Sequence, residues 1–346
     1  MPTVSVHIVT YNSAASIEVC LRALLDQRGV DYSVYLLDNA STDATVAVAR
    51  GMGVQVTVSE TNLGYAAAHN RLLDQTASDN VLTLNPDVQL QPGFLAAMVA
   101  AMEAHPQVGS AAGCLLRVEH LGAAPQGMDS LGWVLSVLAA TSQDSGDVPQ
   151  VMDGAGVFMR RSRRQGLIAD GLPIAQRPAQ ITPIFGPDGA AAFYRRAMLD
   201  DIRVNGEVFD EDFFMHKEDV DVCWRAQLRG WGALYVPDAV AHHVRGFRPG
   251  QRERVSQDMR FLGLRNRYLL MLKNEHPAHF LRDLPFIALY DLGILAYVLL
   301  RERASLAAYR SAWALRGAML TKRRVIQAGR KVDWRTIDRA FKIPRG

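Results

Sequence analysis

The amino-acid sequence predicts an α/β fold with a mainly parallel sheet, followed by a helical C-terminal extension. Short apolar, β-branched runs alternate with stretches of helical periodicity as far as Leu84, and such alternation implies parallel strand pairing with right-handed crossovers. Polar residues follow the ends of the predicted strands, where open α/β sheets bind their ligands. From about residue 255 to residue 345 the pattern is helical.

The elements of the first part follow from apolar periodicity and from helix start and stop signals. The predicted strands are Val4–Val9, Val34–Leu37, Val54–Val58 and Val81–Leu84. The predicted helices between them are Ile17–Leu25, Ala44–Arg50 and Ala66–Leu73. Gly51 ends the second helix, and Asn85-Pro-Asp87 breaks the fourth strand.

The part that follows is less regular in pattern. Residues from about 117 to 180 are rich in Gly, Ala, Pro, Gln and Arg and predict irregular structure. The basic run Arg160–Arg164 is interpreted as a solvated loop, with an anionic acceptor as the alternative partner. Gly186–Tyr194 predicts a flexible turn and a small-residue strand that a ligand can approach closely. A strand over Gly230–Pro237 is expected to end at its proline.

Three carboxylates lie within four residues at the start of a predicted helix, at Glu218, Asp219 and Asp221. One interpretation is local, because negative charge is favoured at a helix N-terminus and Asp221 can pair with Arg225 one turn later. The other is catalytic, because two adjacent carboxylates can raise a pKa towards the working range of a general base. The polar residues at the strand ends, together with the adjacent His242 and His243 later in the chain, favour the catalytic interpretation.

The composition is that of a globular protein with one large or two medium domains, with 346 residues, 49% hydrophobic and 21% charged. The three cysteines lie far apart, without metal-site or disulfide spacing, which fits a reducing cytosol. The opening residues show no basic stretch followed by a long apolar one, so no secretory signal is expected. Residues 301–346 carry 13 Lys and Arg against 3 Asp and Glu, whereas the remainder is acidic. A basic tail on an acidic body points to anionic lipid or nucleic acid.

One apolar run, Leu284–Leu300, bears on the membrane. It is 17 residues long and contains Asp291, whereas a spanning helix needs about 20 apolar residues. It is therefore predicted to be a buried or interfacial helix, with a true membrane span as the alternative. Basic residues after it, such as those of Lys322–Arg324, would attract anionic headgroups.

Two familiar phosphate-binding loops are missing from the sequence. No Gly-x-Gly-x-x-Gly follows the first strand, and no Gly-Lys-Ser/Thr loop is present. This argues against a dinucleotide dehydrogenase and a P-loop enzyme. It leaves open a nucleotide held by carboxylates, amides and a metal. The polar residues after the strands are candidates for that role, although Asn, Asp and Ser are also favoured there as turn and cap residues.

The ordered set of motifs, rather than any single motif, carries a family resemblance. The motifs are Val9-Thr-Tyr-Asn12, Asp38-Asn-x-Ser-x-Asp43, Asn62-x-Gly-Tyr-Ala, Leu84-Asn-Pro-Asp-Val88, Gly189-Ala-Ala-Ala-x-Tyr-Arg-Arg196 and Phe209-Asp-Glu-Asp-Phe-Phe-x-x-x-Glu-Asp-x-Asp-x-x-x-Arg225. Over about residues 4–245 the chain resembles the family 2 inverting glycosyltransferases of the GT-A fold, especially the bacterial rhamnosyltransferase-like members. The resemblance implies a mixed, mainly parallel sheet flanked by helices in a domain at 1–245. Its nucleotide-binding half would be about 1–116 and its acceptor half about 117–245, and a membrane-associating extension would follow at 246–346.

The resemblance also implies roles for single residues. Those implied to hold the nucleotide-sugar are Thr10, Tyr11, Asn12, Asp38, Asn39, Asp43, Asn62, Asn70, Asn85 and Asp87. Asp87 stands where the family's metal-binding Asp-x-Asp ends, so with His243 or His242 it would hold Mg²⁺ or Mn²⁺ against the diphosphate. The chain departs from the family at this motif, because Asn85 replaces the first carboxylate.

The implied function is sugar transfer from a nucleotide-sugar, with dTDP-rhamnose favoured, to a lipid-linked or polysaccharide acceptor in cell-surface glycan synthesis. Asp219 matches the family's general base, and Glu218 would tune or position it. The protein would be cytoplasmic and peripheral on the inner membrane face, held by its basic tail on anionic lipid rather than binding nucleic acid, and a homodimer stays open. One alternative is a non-catalytic sugar- or lipid-binding membrane adaptor on the same fold. Another is a sugar nucleotidyltransferase, whose expected Gly-rich basic loop is missing.

Overall fold

The computed structural model describes residues 2–121, 150–245, 252 and 255–342, and the elements are numbered in chain order within them. The strands are β1 (Thr3–Thr10), β2 (Asp31–Asp38), β3 (Val56–Val58), β4 (Asn80–Leu84), β5 (Val88–Leu90), β6 (Val108–Arg117), β7 (Met152–Gly154), β8 (Val157–Met159), β9 (Gln165–Leu167), β10 (Thr182–Pro183), β11 (Ala191–Arg195) and β12 (Gly232–His243). The helices are α1 (Ile17–Leu25), α2 (Thr45–Gly51), α3 (Gly64–Asp74), α4 (Phe94–Ala104), α5 (Arg196–Asp201), α6 (Glu218–Leu228), α7 (Gln257–Asn274), α8 (Pro277–Arg301), α9 (Leu306–Ala328) and α10 (Trp334–Ala340).

One mixed sheet of ten strands organises the fold. Its order is β10-β12-β6-β11-β4-β1-β2-β3, with β5 beside β12 and β7 beside β6. The longest ladders, β1 with β2 and β6 with β12, are parallel, whereas β11 runs antiparallel between β4 and β6. The predicted α/β fold with a mixed, mainly parallel sheet is therefore confirmed. The first four strands and the three helices between them also lie where the periodicity places them, with small differences at their ends.

The core lies between the sheet and the helices that cover it. All five residues of β4 are buried, as expected for a strand with both faces covered. Ile17, Cys20, Leu21 and Leu24 recur on one face of α1 and are buried in the same cluster as Ile8 of β1. Each such side chain stabilises the fold by about 1.5–3 kcal/mol. The packing holds β1 and β2 in register, so Thr10 and Asp38 pair at the same end of the sheet.

The segment predicted to be irregular is partly ordered. Residues 122–149 lie outside the described residues, but from residue 150 onward the chain forms β7, and β8 pairs with β9 as a small antiparallel sheet. Strands of three residues carry too short a pattern to be identified from sequence. The solvated-loop interpretation of Arg160–Arg164 is wrong for Arg163, whose side chain is buried against Glu275.

The prediction for the strand over Gly230–Pro237 is wrong at its end. β12 passes through Pro237 and continues to His243. The ladder with β6 shifts register between Val236 and Val240. Proline lacks a backbone N–H, and an irregularity of this kind accommodates it within a strand.

The C-terminal extension is helical, as predicted, and packs on the sheet domain. Lys273 and Asn274 of α7 donate hydrogen bonds to Asp221 of α6 at 2.8 and 2.7 Å. Arg163 reaches Asp283 of α8 at 2.9 Å. Buried ion pairs of this kind make the extension part of one body with the sheet domain.

The predicted apolar run lies inside α8, a helix of 25 residues that is long and apolar enough to cross a membrane by length and composition. Pro285 lies within the helix. Only 17% of its most apolar window is buried, whereas a helix in a protein core is covered all round. The buried form of the prediction is therefore wrong, and the interfacial form stays a prediction.

Candidate active site

The carboxyl ends of β1 and β2 form the edge predicted to bind a nucleotide. The Thr10 hydroxyl donates to Asp38 Oδ1 at 2.7 Å. The Ser41 hydroxyl donates to the same oxygen at 2.6 Å, and the Ser41 amide donates to Asp38 Oδ2 at 2.8 Å. Asp38 is fully buried. Its carboxylate therefore fixes the shape of the loop after β2, and a nucleotide would meet that loop rather than a free carboxylate.

Tyr11, Asn12 and Asp43 surround this loop. Asn12 has a positive φ of 51° and accepts a hydrogen bond from the Thr42 amide at 2.8 Å. Asp43 accepts from the Thr45 amide at 3.0 Å, and hydrogen bonds from the Thr45 hydroxyl and amide lower the pKa of Asp43. This geometry fits the local interpretation of Asp43, as a residue that fixes the start of α2. Tyr11, at 53% exposed, is accessible to a ligand at this edge.

Two further asparagines position the start of α3. Asn39 accepts from the Leu63 amide at 3.3 Å and donates to the Gly64 carbonyl at 3.1 Å. Asn62 accepts from the Gly64 amide at 2.9 Å. Gly64 has a φ of +80°, and a Cβ there would lie 2.5 Å from the Phe214 ring. The side-chain amides of Asn39 and Asn62 thus position the start of α3, which lies against Phe214 in the loop that precedes α6.

Asn70, which is predicted to line the nucleotide pocket, directs its side chain to the segment that contains Val208 and Phe209. Its carbonyl oxygen accepts from the Val208 and Phe209 amides at 3.2 and 2.9 Å. Its amide donates to the Phe209 carbonyl at 2.7 Å and to Glu211 at 3.0 Å. The buried side chain has two donors and two acceptor sites, and all four are used to hold this segment of backbone.

A short loop before β11 joins the two sides of the candidate site. The Gly189 amide donates to Asp219 Oδ2 at 3.0 Å. The next residue, Ala190, accepts at its carbonyl from the Asn85 amide at 2.9 Å. Consecutive Cα atoms are about 3.8 Å apart. The first turn of α6 and the Asn85-Pro-Asp87 turn therefore lie next to each other, although they are far apart in sequence.

Asp219 is the most accessible of three acids at this loop. It is partly exposed, whereas Glu218 and Asp188 are buried. Burial raises the pKa of all three, and the charge of Asp219 raises that of Glu218 further. Glu218 and Asp188 each have one carboxylate oxygen without a hydrogen-bond partner. The three side chains therefore hold protons more tightly than ordinary carboxylates.

The loop before α6 is strained. Phe214, His216 and Lys217 have positive φ angles of 63°, 74° and 77°, and each such residue costs on the order of 1–3 kcal/mol. Asn266 of α7 donates to backbone carbonyls of this loop, including that of His216 at 2.7 Å. The extension thus holds in place the strained turn that presents Asp219.

Asp221 is the structural member of the carboxylate cluster. It is fully buried and accepts from Arg225 at 2.8 Å, from Lys273 at 2.8 Å and from Asn274 at 2.7 Å. Burial alone would raise the pKa of Asp221, but Arg225 and Lys273 lower it to about 2. The predicted pair with Arg225 is present, and the two partners from α7 add a tie between α6 and the extension.

Asp87 and His243 form the candidate metal pair. Asp87 Oδ1 is buried without a hydrogen-bond partner and lies 3.6 Å from His243 Nε2. His243 Nδ1 lies 2.7 Å from the buried Asp153 carboxylate. A carboxylate behind a histidine is the usual way to orient a metal ligand. An unpartnered oxygen facing an imidazole nitrogen fits Mg²⁺ or Mn²⁺, with a diphosphate and water as further ligands.

The charges around this pair are balanced by Asp153. Arg245 makes two hydrogen bonds to Asp153, at 2.7 and 2.8 Å. Burial alone would raise the pKa of Asp153, but the hydrogen bonds from His243 and Arg245 outweigh burial and lower it. Burial alone would lower the pKa of His243, but the hydrogen bond to Asp153 and the negative charges of Asp87 and Asp153 raise it to about 9. Asp153 thus fixes the side chains of His243 and Arg245, and a bound metal ion would displace the proton from His243 Nε2.

His242 is not brought to Asp87. Consecutive residues of a strand point to opposite faces of the sheet. The His242 ring lies 3.3 Å from the Gln150 side chain, whereas His243 faces Asp87. The geometry therefore favours His243 over His242 as the metal ligand of the prediction.

Three residues near the site were not singled out from the sequence, namely Asp153, Asp188 and Lys217. Lys217 precedes the carboxylates, its ammonium donates to Gln165 at 2.9 Å, and burial lowers its pKa to about 8. Its position directly before Glu218 and Asp219 is a sequence signal that could have identified it as a site residue. Asp153 lies in a segment without clear periodicity, and Asp188 lies in the turn predicted at the start of Gly186–Tyr194, so the sequence does not distinguish either of them from a turn residue.

Sequence comparisons place this geometry in context. The profile of Glycosyl transferase family 2 matches residues 5–203. The N-acetylglucosaminyl-diphospho-decaprenol L-rhamnosyltransferase of Mycobacterium tuberculosis is 32% identical over 258 residues. That alignment covers 68% of this chain and 74% of the relative.

Solved structures resemble the fold at low sequence identity. The mannosyltransferase PcManGT from Pyrobaculum calidifontis, in complex with GDP-Man and Mn²⁺, matches with a TM-score of 0.51 at 18% identity, over 98% of this chain and 84% of that one. S. aureus TarS 1-349 matches with a TM-score of 0.53 at 16% identity, over 94% and 90%. These likenesses show the fold, which is the predicted GT-A fold.

Proposed function

This chain belongs to glycosyl transferase family 2, in its bacterial rhamnosyltransferase type, and we propose that it transfers a sugar from a nucleotide-sugar to a lipid-linked acceptor with inversion. One observation carries the proposal. The adjacent residues Gly189 and Ala190 hold Asp219 and Asn85, at 3.0 and 2.9 Å. Displacement at an anomeric carbon needs a base on the acceptor side and neutralised charge on the leaving-group side. This loop therefore holds the proposed base, Asp219, next to the Asn85-Pro-Asp87 turn, whose Asp87 would hold the metal ion.

Asp219 is the proposed general base. Its oxygens accept from the Gly189 and Val220 amides at 3.0 and 2.8 Å, which fixes its orientation and leaves lone pairs for an acceptor hydroxyl. Its raised pKa makes it a stronger base than an ordinary aspartate. The buried Glu218 beside it would tune or position the base, and burial and the charge of Asp219 raise the pKa of Glu218 to about 8. Attack of the deprotonated hydroxyl opposite the leaving diphosphate inverts the anomeric carbon.

Asp87 and His243 would hold Mg²⁺ or Mn²⁺ together with the diphosphate of the donor. Such an ion, when bound, neutralises the charge that develops on the leaving diphosphate. Asp153 would keep His243 Nε2 turned towards the site. Asn85 stands in place of a second carboxylate, so the protein alone should bind the ion weakly and the donor should strengthen binding.

The favoured donor is dTDP-rhamnose, and the favoured acceptor is a lipid-linked sugar or a growing polysaccharide. The 32% identical relative is, by name, an L-rhamnosyltransferase of N-acetylglucosaminyl-diphospho-decaprenol. The resemblance to rhamnosyltransferase-like members includes the Asn-Pro-Asp form of the metal motif, at Asn85-Pro-Asp87. A shared family and a shared motif support this assignment by analogy.

We propose a separate role for each of three parts of the chain. Residues 1–116 would bind the nucleotide, residues 117–245 the acceptor, and residues 246–346 the membrane. The protein would work in the cytoplasm, on the inner face of the cytoplasmic membrane, where residues 301–346 bring 13 Lys and Arg to anionic lipid. A partner copy in a homodimer stays open, and no nucleic acid partner is proposed.

A thermal-shift panel of nucleotide-sugars with and without Mn²⁺ tests the donor and the metal pair together. A ligand that binds only the native state stabilises it by about 2.7 kcal/mol at roughly 100 times its Kd. We expect the largest shift with dTDP-rhamnose and Mn²⁺, and a smaller one in EDTA. Asp87→Ala should lose the metal-dependent part, whereas Asp26→Ala, at an exposed carboxylate after α1, should keep it. A shift in EDTA, or for Asp87→Ala, that is as large as the shift of the native chain with Mn²⁺ would contradict the metal site.

A further inference from the structure

The outer face of α8 is apolar along the length of the helix. Its exposed large side chains include Leu281, Leu284, Phe286, Leu289, Leu292 and Leu300. Leu289 and Leu292, near the middle, are 75% and 63% exposed. Single exposed leucines are ordinary on protein surfaces, but a contiguous apolar strip marks a face that binds something.

The inner face of α8 is narrow. Its buried residues, His279, Asp283, Ile287 and Val298, fall on one stripe at helical spacing. The helix therefore lies on the body of the protein along this stripe. The described residues leave its other faces open, so α8 differs from an apolar helix of a protein core.

Three ion pairs fix α8 to the body along its length. Near its start Asp283 pairs with Arg163 at 2.9 Å, in its middle Asp291 pairs with Arg267 at 2.9 Å, and just after its end Glu302 pairs with Arg260 of α7 at 3.3 Å.

A spanning helix would put its two ends on opposite sides of the bilayer. The 25 residues of α8 span about 37 Å at 1.5 Å per residue, which would suffice for a crossing. Both ends and the middle contact the same folded body, however, so the helix lies flat along it.

The neighbouring helix α9 supplies charge complementary to anionic lipid. It carries five Lys and Arg and no Asp or Glu. Lys322 is buried in ion pairs with Asp210 and Asp212, so four of the five remain for a headgroup, and the prediction that Lys322 attracts headgroups is wrong.

Val298 of α8 and Ala308 of α9 belong to one buried cluster, so the two helices meet there. On α9, Trp313 is 69% exposed and the Arg316 guanidinium lies 4.2 Å from its ring. Exposed Trp beside Arg is typical of a membrane–water interface.

We propose that α8 lies in the plane of the membrane interface, with its apolar face among the lipid acyl chains and α9 on the anionic headgroups. This deepens the membrane location of the proposed function and rests on it. In this arrangement, burial of the apolar face of α8 adds to the attraction between the basic tail and anionic lipid. The contribution of apolar burial persists at high salt, whereas salt screens the attraction between charges.

The geometry connects this face to the candidate site. Arg267 of α7 binds Asp291 of α8 at 2.9 Å. One residue earlier on α7, Asn266 donates to the carbonyl of His216, in the loop before α6, at 2.7 Å. A bilayer that fixes α8 therefore fixes the height of Asp219 above the lipid surface, where the sugar of a lipid-linked acceptor would be presented.

Vesicle flotation of the full chain tests the proposal without any sugar transfer. The probes are phosphatidylcholine vesicles with and without phosphatidylglycerol, at about 0.1 M and about 1 M NaCl. We expect stronger binding to the anionic vesicles and retention of the protein on them at the higher salt. The double variant Leu289→Glu, Leu292→Glu should lower binding at least about tenfold at both salt concentrations, because two apolar side chains no longer enter the lipid.

The matched control is the double variant Leu25→Glu, Leu172→Glu, at two exposed leucines elsewhere on the surface, and it should bind as the native chain does. Unchanged thermal unfolding of both variants shows that they fold. Release of the native chain by high salt would overturn the in-plane helix and leave the peripheral location intact. Absence of binding to any vesicle would overturn both. Native flotation of the α8 variant, with a loss of dimer mass in light scattering, would identify a second copy of the chain as the occupant.

Discussion

Asp219→Asn should reduce sugar transfer by roughly 10²–10⁴-fold, the usual contribution of a general base, while leaving nucleotide-sugar binding unchanged. The asparagine keeps the shape of the side chain and can still accept from the Gly189 amide, but it cannot take a proton from an acceptor hydroxyl. Single-turnover transfer and a donor-binding titration on the same variant measure the two quantities.

Asp258→Asn is the matched control, because Asp258 is an exposed carboxylate in the first turn of another helix, α7. It should transfer at the native rate. An Asp219→Asn variant that transfers at the native rate would contradict the assignment of the base. Loss of transfer with retained donor binding would exclude the membrane-adaptor alternative, which needs no base.

Asp221→Ala should destabilise the protein by about 3–5 kcal/mol, as expected when one partner of a buried charge network is removed. The side chain is fully buried and serves Arg225, Lys273 and Asn274. Its loss would leave these donors without a carboxylate and loosen α6 from α7. Chemical denaturation followed by circular dichroism measures the difference.

The pH dependence of stability checks the same network. The pKa of Asp221 is lowered to about 2 in the folded chain, whereas an unfolded aspartate titrates near 3.9. A lowered pKa means that the contribution of Asp221 is present above its unfolded pKa and is lost as pH falls towards 2. The exposed pair of Asp200 with Arg196 provides the control, since Asp200→Ala should cost at most about 1 kcal/mol. A similarly small cost for Asp221→Ala would contradict its role as a tie.

The regular part of the fold could be predicted because its signals are local. The strands of the nucleotide side are apolar runs bounded by Asn, Asp and Gly, and α1 repeats its apolar residues on one face. The polar edge of the sheet follows from parallel topology, which brings Thr10 and Asp38 together whatever the details of packing.

The remaining parts depend on contacts between distant segments. Asp153 is defined by His243 and Arg245, about ninety positions along the chain. The family resemblance implied that Asn70 lines the nucleotide pocket, but its side chain holds the backbone around Phe209. No periodicity reports such contacts, because they form only when the chain is folded.

The face of the sheet to which each histidine of the pair points was also not predictable from the sequence. The adjacent His242 and His243 are chemically equal in sequence, and only the alternation of β12 turns one of them to Asp87. Likewise the strand was expected to stop at Pro237, and its passage through an irregularity depends on the ladder with β6.

The stereochemistry of a transfer reaction tests the central claim most directly. The full chain would be incubated with dTDP-rhamnose, Mn²⁺ and a short-chain lipid-diphosphate sugar acceptor, and the anomeric configuration of the product would be assigned by NMR. The proposed mechanism predicts a glycosylated lipid whose new bond has the configuration opposite to that of the donor. A product with retained configuration, or no transfer from any nucleotide-sugar that the protein binds, would contradict it.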